Sequence, residues 1–233
     1  MKVVRLSGGI AAWLEQGAIN IAYESAKQLS AFSMVEDDPF EPLAQAEVCT
    51  RLRSDFYLIG NPMNAGAVKS RGEAIFVIDE SLNPPLVVGF ATYKPRFPEF
   101  TSASIGYIAV LENYRGQGIM RLIMDEMLEH HPILALDCPI ELVPLYEKFG
   151  FYVSGSQGGH IVMETGPITG QIFSFDTEDL MKEPPLRAAK QKISKALGSQ
   201  SDAGYRNFNR HNELAVSKAE AFVASKKGSQ DES

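Results

Sequence analysis

One stretch constrains this chain more than any other: Ile105-Gly106-Tyr107-Ile108-Ala109-Val110-Leu111-Glu112-Asn113-Tyr114-Arg115-Gly116-Gln117-Gly118-Ile119-Met120. It reads as a strand that passes through a glycine-rich turn into a helix. From Gln117 to Glu129 the residues Met120, Ile123, Met124, Met127 and Leu128 recur at helical spacing, which predicts an amphipathic helix packed on a sheet. A strand, turn and helix in this order bring backbone N–H groups close to a phosphate at the positive end of the helix dipole. Other phosphate loops fit worse. The Gly-Lys-Ser/Thr ending of a Walker loop is missing, and so are the three spaced glycines of the dinucleotide fingerprint.

The flanking pattern predicts an α/β layer fold. Residues 3 to 6 read as a short first strand, 10 to 32 as a helix that Gly17 interrupts, and 43 to 53 as a second helix, with a loop at Gly60, Pro62 and Gly66. Three strands follow at 74 to 79, 86 to 94 and 102 to 111, spaced for antiparallel hairpins. Beyond the amphipathic helix come a strand at 133 to 136, a short helix at 141 to 149, and strands at 151 to 154 and 160 to 164. The sum is a mixed central sheet of about six to seven strands flanked by helices. After Gly166 the composition turns polar. The expectation is a main domain over 1 to 166 and a C-terminal extension over 167 to 233, helical at 186 to 197 and 205 to 224 or extended, whose thin apolar stripes need a partner surface.

Charge and cysteine use exclude several functions. The net charge is −7, and the acidity sits in the first 165 residues, with 12 basic and 20 acidic side chains, against 10 and 9 in the remainder. Phosphate backbones are bound by clustered Lys and Arg, so no nucleic acid is expected as a partner. No apolar run reaches the roughly 18 to 20 residues of a membrane span, and no leader pattern is evident, so the expectation is a soluble cytoplasmic protein without membrane contact. Cys49 and Cys138 form no CxxC pair and read as buried thiols. His130 and His131 end the amphipathic helix, where positive charge suits the dipole and no metal is expected.

The glycine-rich stretch resembles motif A of the GNAT superfamily of N-acetyltransferases, in which Arg or Gln, two residues, Gly, one residue, then Gly or Ala receive a pyrophosphate. Arg115, Gly118 and the strand before them match; Met120 stands where the family usually keeps Gly or Ala. Leu145-Tyr146-Glu147-Lys148-Phe149-Gly150-Phe151 resembles the motif B helix and its following strand, although Pro139 stands where an Asn is common. The resemblance covers residues 70 to 165 well, the first 70 weakly and the extension not at all. It implies the GNAT fold, with acetyl-CoA as co-substrate held in a gap between two splayed strands. Arg115, Gly116, Gln117, Gly118 and Met120 would face its pyrophosphate, and backbone groups of Ile108 and Val110 its pantetheine arm.

In such a protein the acceptor amine attacks the thioester directly. The resemblance makes Tyr146 the general acid for the departing thiolate. No general base stands out: Glu112 lies just past the strand, and Tyr107 and Ser104 lie on it. Acyl capture by Cys138 is a further option. The acidic run Glu36 to Glu41 falls where similar proteins loop over the acceptor, which favours a cationic amine on a small molecule or a protein. The expected function is therefore acetyl transfer from acetyl-CoA to a primary amine. The alternative is a weak or inactive GNAT-fold module that attaches to a larger assembly, or to copies of itself, through the extension.

Overall fold

The computed structural model describes residues 1–65, 68–173 and 177–231; Gly66, read above as a loop residue, lies outside them. In chain order the elements are β1 (Lys2–Leu6), α1 (Ala12–Glu24), α2 (Ala26–Leu29), α3 (Glu41–Gly60), β2 (Met63–Ala65), β3 (Val68–Ser70), β4 (Glu73–Asp79), β5 (Leu86–Pro95), β6 (Ser102–Val110), α4 (Ile119–His130), β7 (Ile133–Cys138), α5 (Val143–Glu147), β8 (Tyr152–Gln157), β9 (His160–Glu164), α6 (Thr177–Leu180), α7 (Pro184–Leu197) and α8 (Ser201–Asp231). Seven strands form a mixed sheet in the order β1-β4-β5-β6-β7-β9-β8, while β2 and β3 pair separately. This is the expected α/β architecture.

Chain contacts define two units, one of Met1–Ser25, Arg51–Leu136 and Thr165–Ser174, the other of Ala26–Thr50, Asp137–Glu164 and Phe175–Ser233. The strand β7 belongs to the first as far as Leu136 and to the second from Asp137.

In the first unit β4 is buried along its whole length, as its run of Ala, Ile, Phe and Val requires of a strand covered on both faces. It pairs antiparallel with β1 and β5, and β5 with β6. A bulge opposite Val77 and Ile78 leaves Val88 as the extra residue of β5. Val87 and Gly89 would otherwise share a face; the bulge turns Val87 toward α1 and Gly89 toward α4. Both helices come close there. A Cβ on Gly17 of α1 would stand 2.7 Å from Val87, and one on Gly89 would stand 2.7 Å from Ile119 of α4. Gly17 is thus a packing residue inside the helix and does not interrupt it. The helix ends at Ser25 instead, where α2 starts afresh.

The second unit has its own core. Phe40 and Leu43 meet Leu180, Leu186, Ala189 and Ile193, and the Phe40 ring stacks on Phe208 of α8 with centroids 4.3 Å apart. The apolar stripes of α7 and α8 therefore find their partner within this unit. Pro184 and Pro185 open α7, where missing N–H groups cost nothing. The acidic run has a local task. Asp38 Oδ1 accepts from the Phe40 amide at 2.9 Å and its carbonyl accepts from Glu41, so α3 begins at Glu41, earlier than the sequence suggests. Among the described residues no helix is long and apolar enough to cross a membrane.

Candidate active site

The turn before α4 is built to leave amides exposed. Gly116 and Gly118 take positive φ of 76° and 80°, a region where an L side chain is strained, and a Cβ on either would meet nothing within 4 Å. A short 3-10 turn, Glu112–Tyr114, leads in, closed by the amide of Arg115 on the Glu112 carbonyl at 3.1 Å. The Tyr114 hydroxyl donates to Asp79 Oδ2 at 3.0 Å and fastens the turn to the end of β4, while Gln117 Nε2 donates to the Asn113 carbonyl.

Among the described residues, the amides of Gly116, Gln117, Gly118, Ile119 and Met120 donate to no protein acceptor, and the first helical bond runs from the Leu122 amide to Gly118. These are the orphan donors of a helix start, here uncapped by any side chain. Ile119 is buried against the sheet, so α4 cannot shift away from the turn. Arg115 is exposed and its Nε donates to the Val110 carbonyl at 3.2 Å, back over the strand end. Met120 is half-buried and Glu112 is exposed on the 3-10 turn. Glu112 and Arg115 to Gly118 are thus exposed on the turn, while Ile108 and Val110 on the strand before it and Met120 on the helix after it are half-buried.

The strand that leads into the turn is itself paired only in part on one side. The parallel pairing with β7 covers only Ser102↔Ile133, Ala103↔Leu134 and Ser104↔Ala135, yet β6 continues to Val110. From Ile105 onward the side of β6 away from β5 has no register partner in β7. The register between the two central strands thus stops at Ser104. Gly106 is the extra residue of a bulge in β6, and a Cβ there would stand 2.7 Å from Asp55 Oδ2. Asp55 in turn accepts from Lys94 Nζ at 2.8 Å and from the Thr92 hydroxyl at 3.1 Å. Nothing in the sequence signals this group, because its members lie far apart along the chain.

In the second unit Tyr146 sits on α5, buried, with its ring edge-on to Phe151 at 5.8 Å. Its hydroxyl has no hydrogen-bond partner among the described residues. Burial first, then Cys138 and the Asp137 charge, raise the phenol well above its ordinary value, which keeps it protonated. Cys138 is buried with Sγ 3.8 Å from the Met163 sulfur, and burial together with Asp137 and Glu141 pushes its thiol up to about 12. A thiol so placed is core and a poor nucleophile at neutral pH. Cys49 is buried too.

The two histidines that end α4 behave differently. His130 faces the Glu126 carbonyl at 3.0 Å. His131 is buried; its Nδ1 faces the Phe100 carbonyl at 3.0 Å and its Nε2 stands 3.7 Å from Glu73. Among the described residues no group of His, Cys, Asp and Glu is arranged to hold a metal ion.

With this geometry in hand, residues 71–153 match the family of acetyltransferase (GNAT) domains. The chain carries a GNAT domain over that stretch, and acetyl-CoA is the co-substrate that goes with such a domain. Among solved structures the chain is similar to the PaiA N-acetyltransferase of Thermoplasma acidophilum in complex with coenzyme A, at 15% identity and a TM-score of 0.51, over 70% of this chain and 98% of that one. It is also similar to a GNAT-family acetyltransferase of Staphylococcus aureus, at 13% identity, a TM-score of 0.46 and 70% and 98% coverage. An N-acetyltransferase described as putative from Lactobacillus plantarum matches at 13% identity and a TM-score of 0.44, over 70% and 95%. The likeness to the PaiA structure is one of fold. No curated protein matches the chain in sequence.

Proposed function

We propose that this protein transfers the acetyl group of acetyl-CoA to a primary amine by direct attack. The observation that carries the reading is the row of undonated amides from Gly116 to Met120 at the opening of α4. Five N–H groups on a turn with two left-handed glycines suit the linked phosphates of coenzyme A, and Arg115 adds a cation beside them. The open edge of β6 at Ile108 and Val110 offers backbone groups to the pantetheine arm. Neutral, deprotonated nitrogen attacks the thioester carbonyl carbon; the C–S bond then breaks as the tetrahedral adduct collapses. Tyr146, kept protonated by its surroundings and with a hydroxyl that no other group uses, gives its proton to the departing sulfur. Glu112, exposed on the turn, takes the proton that the amine loses.

The domain over 1 to 166 is the transferase in this reading, and 167 to 233 an extension that serves it. The protein acts in the cytoplasm on a small-molecule or protein amine, with no nucleic acid as substrate. The reading in which the extension fastens an inactive domain to a larger assembly has less to rest on, since α7 and α8 spend Leu186, Ile193 and Phe208 on Phe40 and Leu43 of the second unit. Calorimetry with acetyl-CoA and a thiol-release assay over a panel of amines test the proposal. Micromolar binding with release of coenzyme A on at least one amine is expected; binding without release on any amine sinks transfer.

A further inference from the structure

The second unit contains a pocket of about 220 Å³ between the segment after α2, the chain after β7, the β8–β9 turn and one side of α8. Phe32, Ile140 and Leu214 give it apolar walls, and five ionisable side chains face it: Lys27, Glu141, His160, His211 and Lys218. Three of these are already engaged. Lys27 pairs with Glu41 at 3.2 Å, His160 Nδ1 with Asp137 at 2.8 Å, and His211 Nε2 lies 3.1 Å from the Ser33 hydroxyl. Lys218 and Glu141 remain, and neither side chain has a hydrogen-bond or ion-pair partner among the described residues. They do not pair with each other. The pocket thus presents one uncommitted cation and one uncommitted anion across apolar walls.

The place of the anion matters. Glu141 follows Cys138 by three residues and precedes Tyr146 by five, on the 3-10 turn that leads from β7 into α5. The Glu141 end of the pocket thus belongs to the same short stretch of chain as the proposed acid, and the Lys218 end is supplied by the C-terminal extension, whose Lys226 reaches Glu147 beside Tyr146 at 2.9 Å.

We propose that this pocket holds a zwitterionic acceptor, an amine that also carries an oxyanion, with its ammonium on Glu141 and its carboxylate or phosphate on Lys218. The assignment of an acceptor rests on the transferase reading; the assignment of a zwitterion rests on the pocket. A purely cationic amine would leave Lys218 facing like charge, and a purely anionic ligand would do the same to Glu141. Apolar walls add preference for a molecule with a hydrocarbon body, such as a branched or aromatic amino acid.

Calorimetry on the full chain with the twenty standard amino acids and with O-phosphoethanolamine tests this. At least one of them binds, and its partner group distinguishes carboxylate from phosphate. For an amino acid, the methyl ester, which keeps the amine, and the N-acetyl derivative, which keeps the carboxylate, each bind at least tenfold more weakly. Lys218→Ala removes the difference between acid and ester, and Glu141→Gln removes the difference between amine and N-acetyl derivative. Both variants keep the parent's circular dichroism and acetyl-CoA affinity. Failure of every probe to bind, or variants that leave both differences intact, overturns the pocket. Acetyl-CoA titrated into the same samples keeps the two readings apart. Amino acid binding without acetyl-CoA binding removes the transferase and spares the pocket, and the reverse result removes only the pocket.

Discussion

The Tyr93 hydroxyl donates to Glu73 Oε2 at 3.0 Å, directly across the register pair that joins β5 to β4. Arg5 of β1 closes the triangle, with Nε donating both to Glu73 at 3.0 Å and to the Tyr93 oxygen at 2.8 Å. Arg71 Nη2 lies 3.3 Å from the other carboxylate oxygen. Glu73 is 1% exposed, so a carboxylate this deep persists only because it is paired.

Acid should therefore unfold the first unit in a defined window. Burial pushes the Glu73 carboxyl up, but His131 at 3.7 Å and the direct contacts from Arg5 and Tyr93 outweigh it and hold it at about 2, against an ordinary 4.5. A lowered carboxyl contributes stability that is complete above the ordinary value and is lost as pH falls from about 4.5 toward about 2. The loss is on the order of 3 kcal/mol. Urea melts at pH 7, 4 and 3 measure it. Glu73→Gln should cost roughly 3 kcal/mol at pH 7, by leaving Arg5 without its charge partner, and should flatten the dependence below pH 4.5. A variant that keeps the parent's acid profile would assign the window to other groups.

Gly118→Ala places a side chain at a φ of 80° with open space around it. The penalty is conformational, about 1 kcal/mol of stability for a left-handed L residue. The larger effect is on the cofactor: the turn relaxes toward negative φ and turns its amides aside, so acetyl-CoA affinity by calorimetry should fall at least tenfold. Unchanged affinity would move the pyrophosphate away from this turn.

Tyr146→Phe removes a hydroxyl that bonds to nothing in the described structure. Stability should change by less than about 0.5 kcal/mol. The turnover number should drop on the order of 100-fold at unchanged acetyl-CoA affinity, a split read from thiol release and calorimetry together. Equal turnover in variant and parent would take the phenol out of the reaction.

Truncation after Gly166 strips Leu180, Leu186, Ala189, Ile193 and Phe208 from Phe40 and Leu43. The sequence suggests that residues 1 to 166 suffice, yet several large apolar contacts at roughly 1.5 to 3 kcal/mol each exceed the stability of most domains. The truncated chain should bind a dye for exposed apolar surface and lose its cooperative melt. A sharp melt at the parent's temperature would show that the extension is dispensable.

What the sequence made legible was local. Strand, glycine turn and amphipathic helix are encoded within one stretch from Ile105 to Glu129, and alternation and helical spacing survive any tertiary context. The exchange of α1 for α2 at Ser25 was not legible, because Gly17 looks like the breaker and its true task, admitting Val87, depends on a strand some seventy residues later. The hairpin of β2 and β3 was read as a loop, since three-residue strands carry too little pattern. Glu73, Asp55 and Lys218 gave no signal at all: each acquires its meaning from partners or from a pocket wall that only folding supplies.

The early parting of β6 from β7 after Ser104 has a consequence for solvent exchange. Those peptide hydrogens between Ile105 and Val110 that point away from β5 should swap readily with deuterium in the empty protein, while those of Ala103 and Ser104, held between β5 and β7, should be locked in the ladder. A bound pantetheine chain would slow the former and leave the latter alone, so the cofactor writes its own footprint on a single strand, legible by mass, with no need to know what it acetylates.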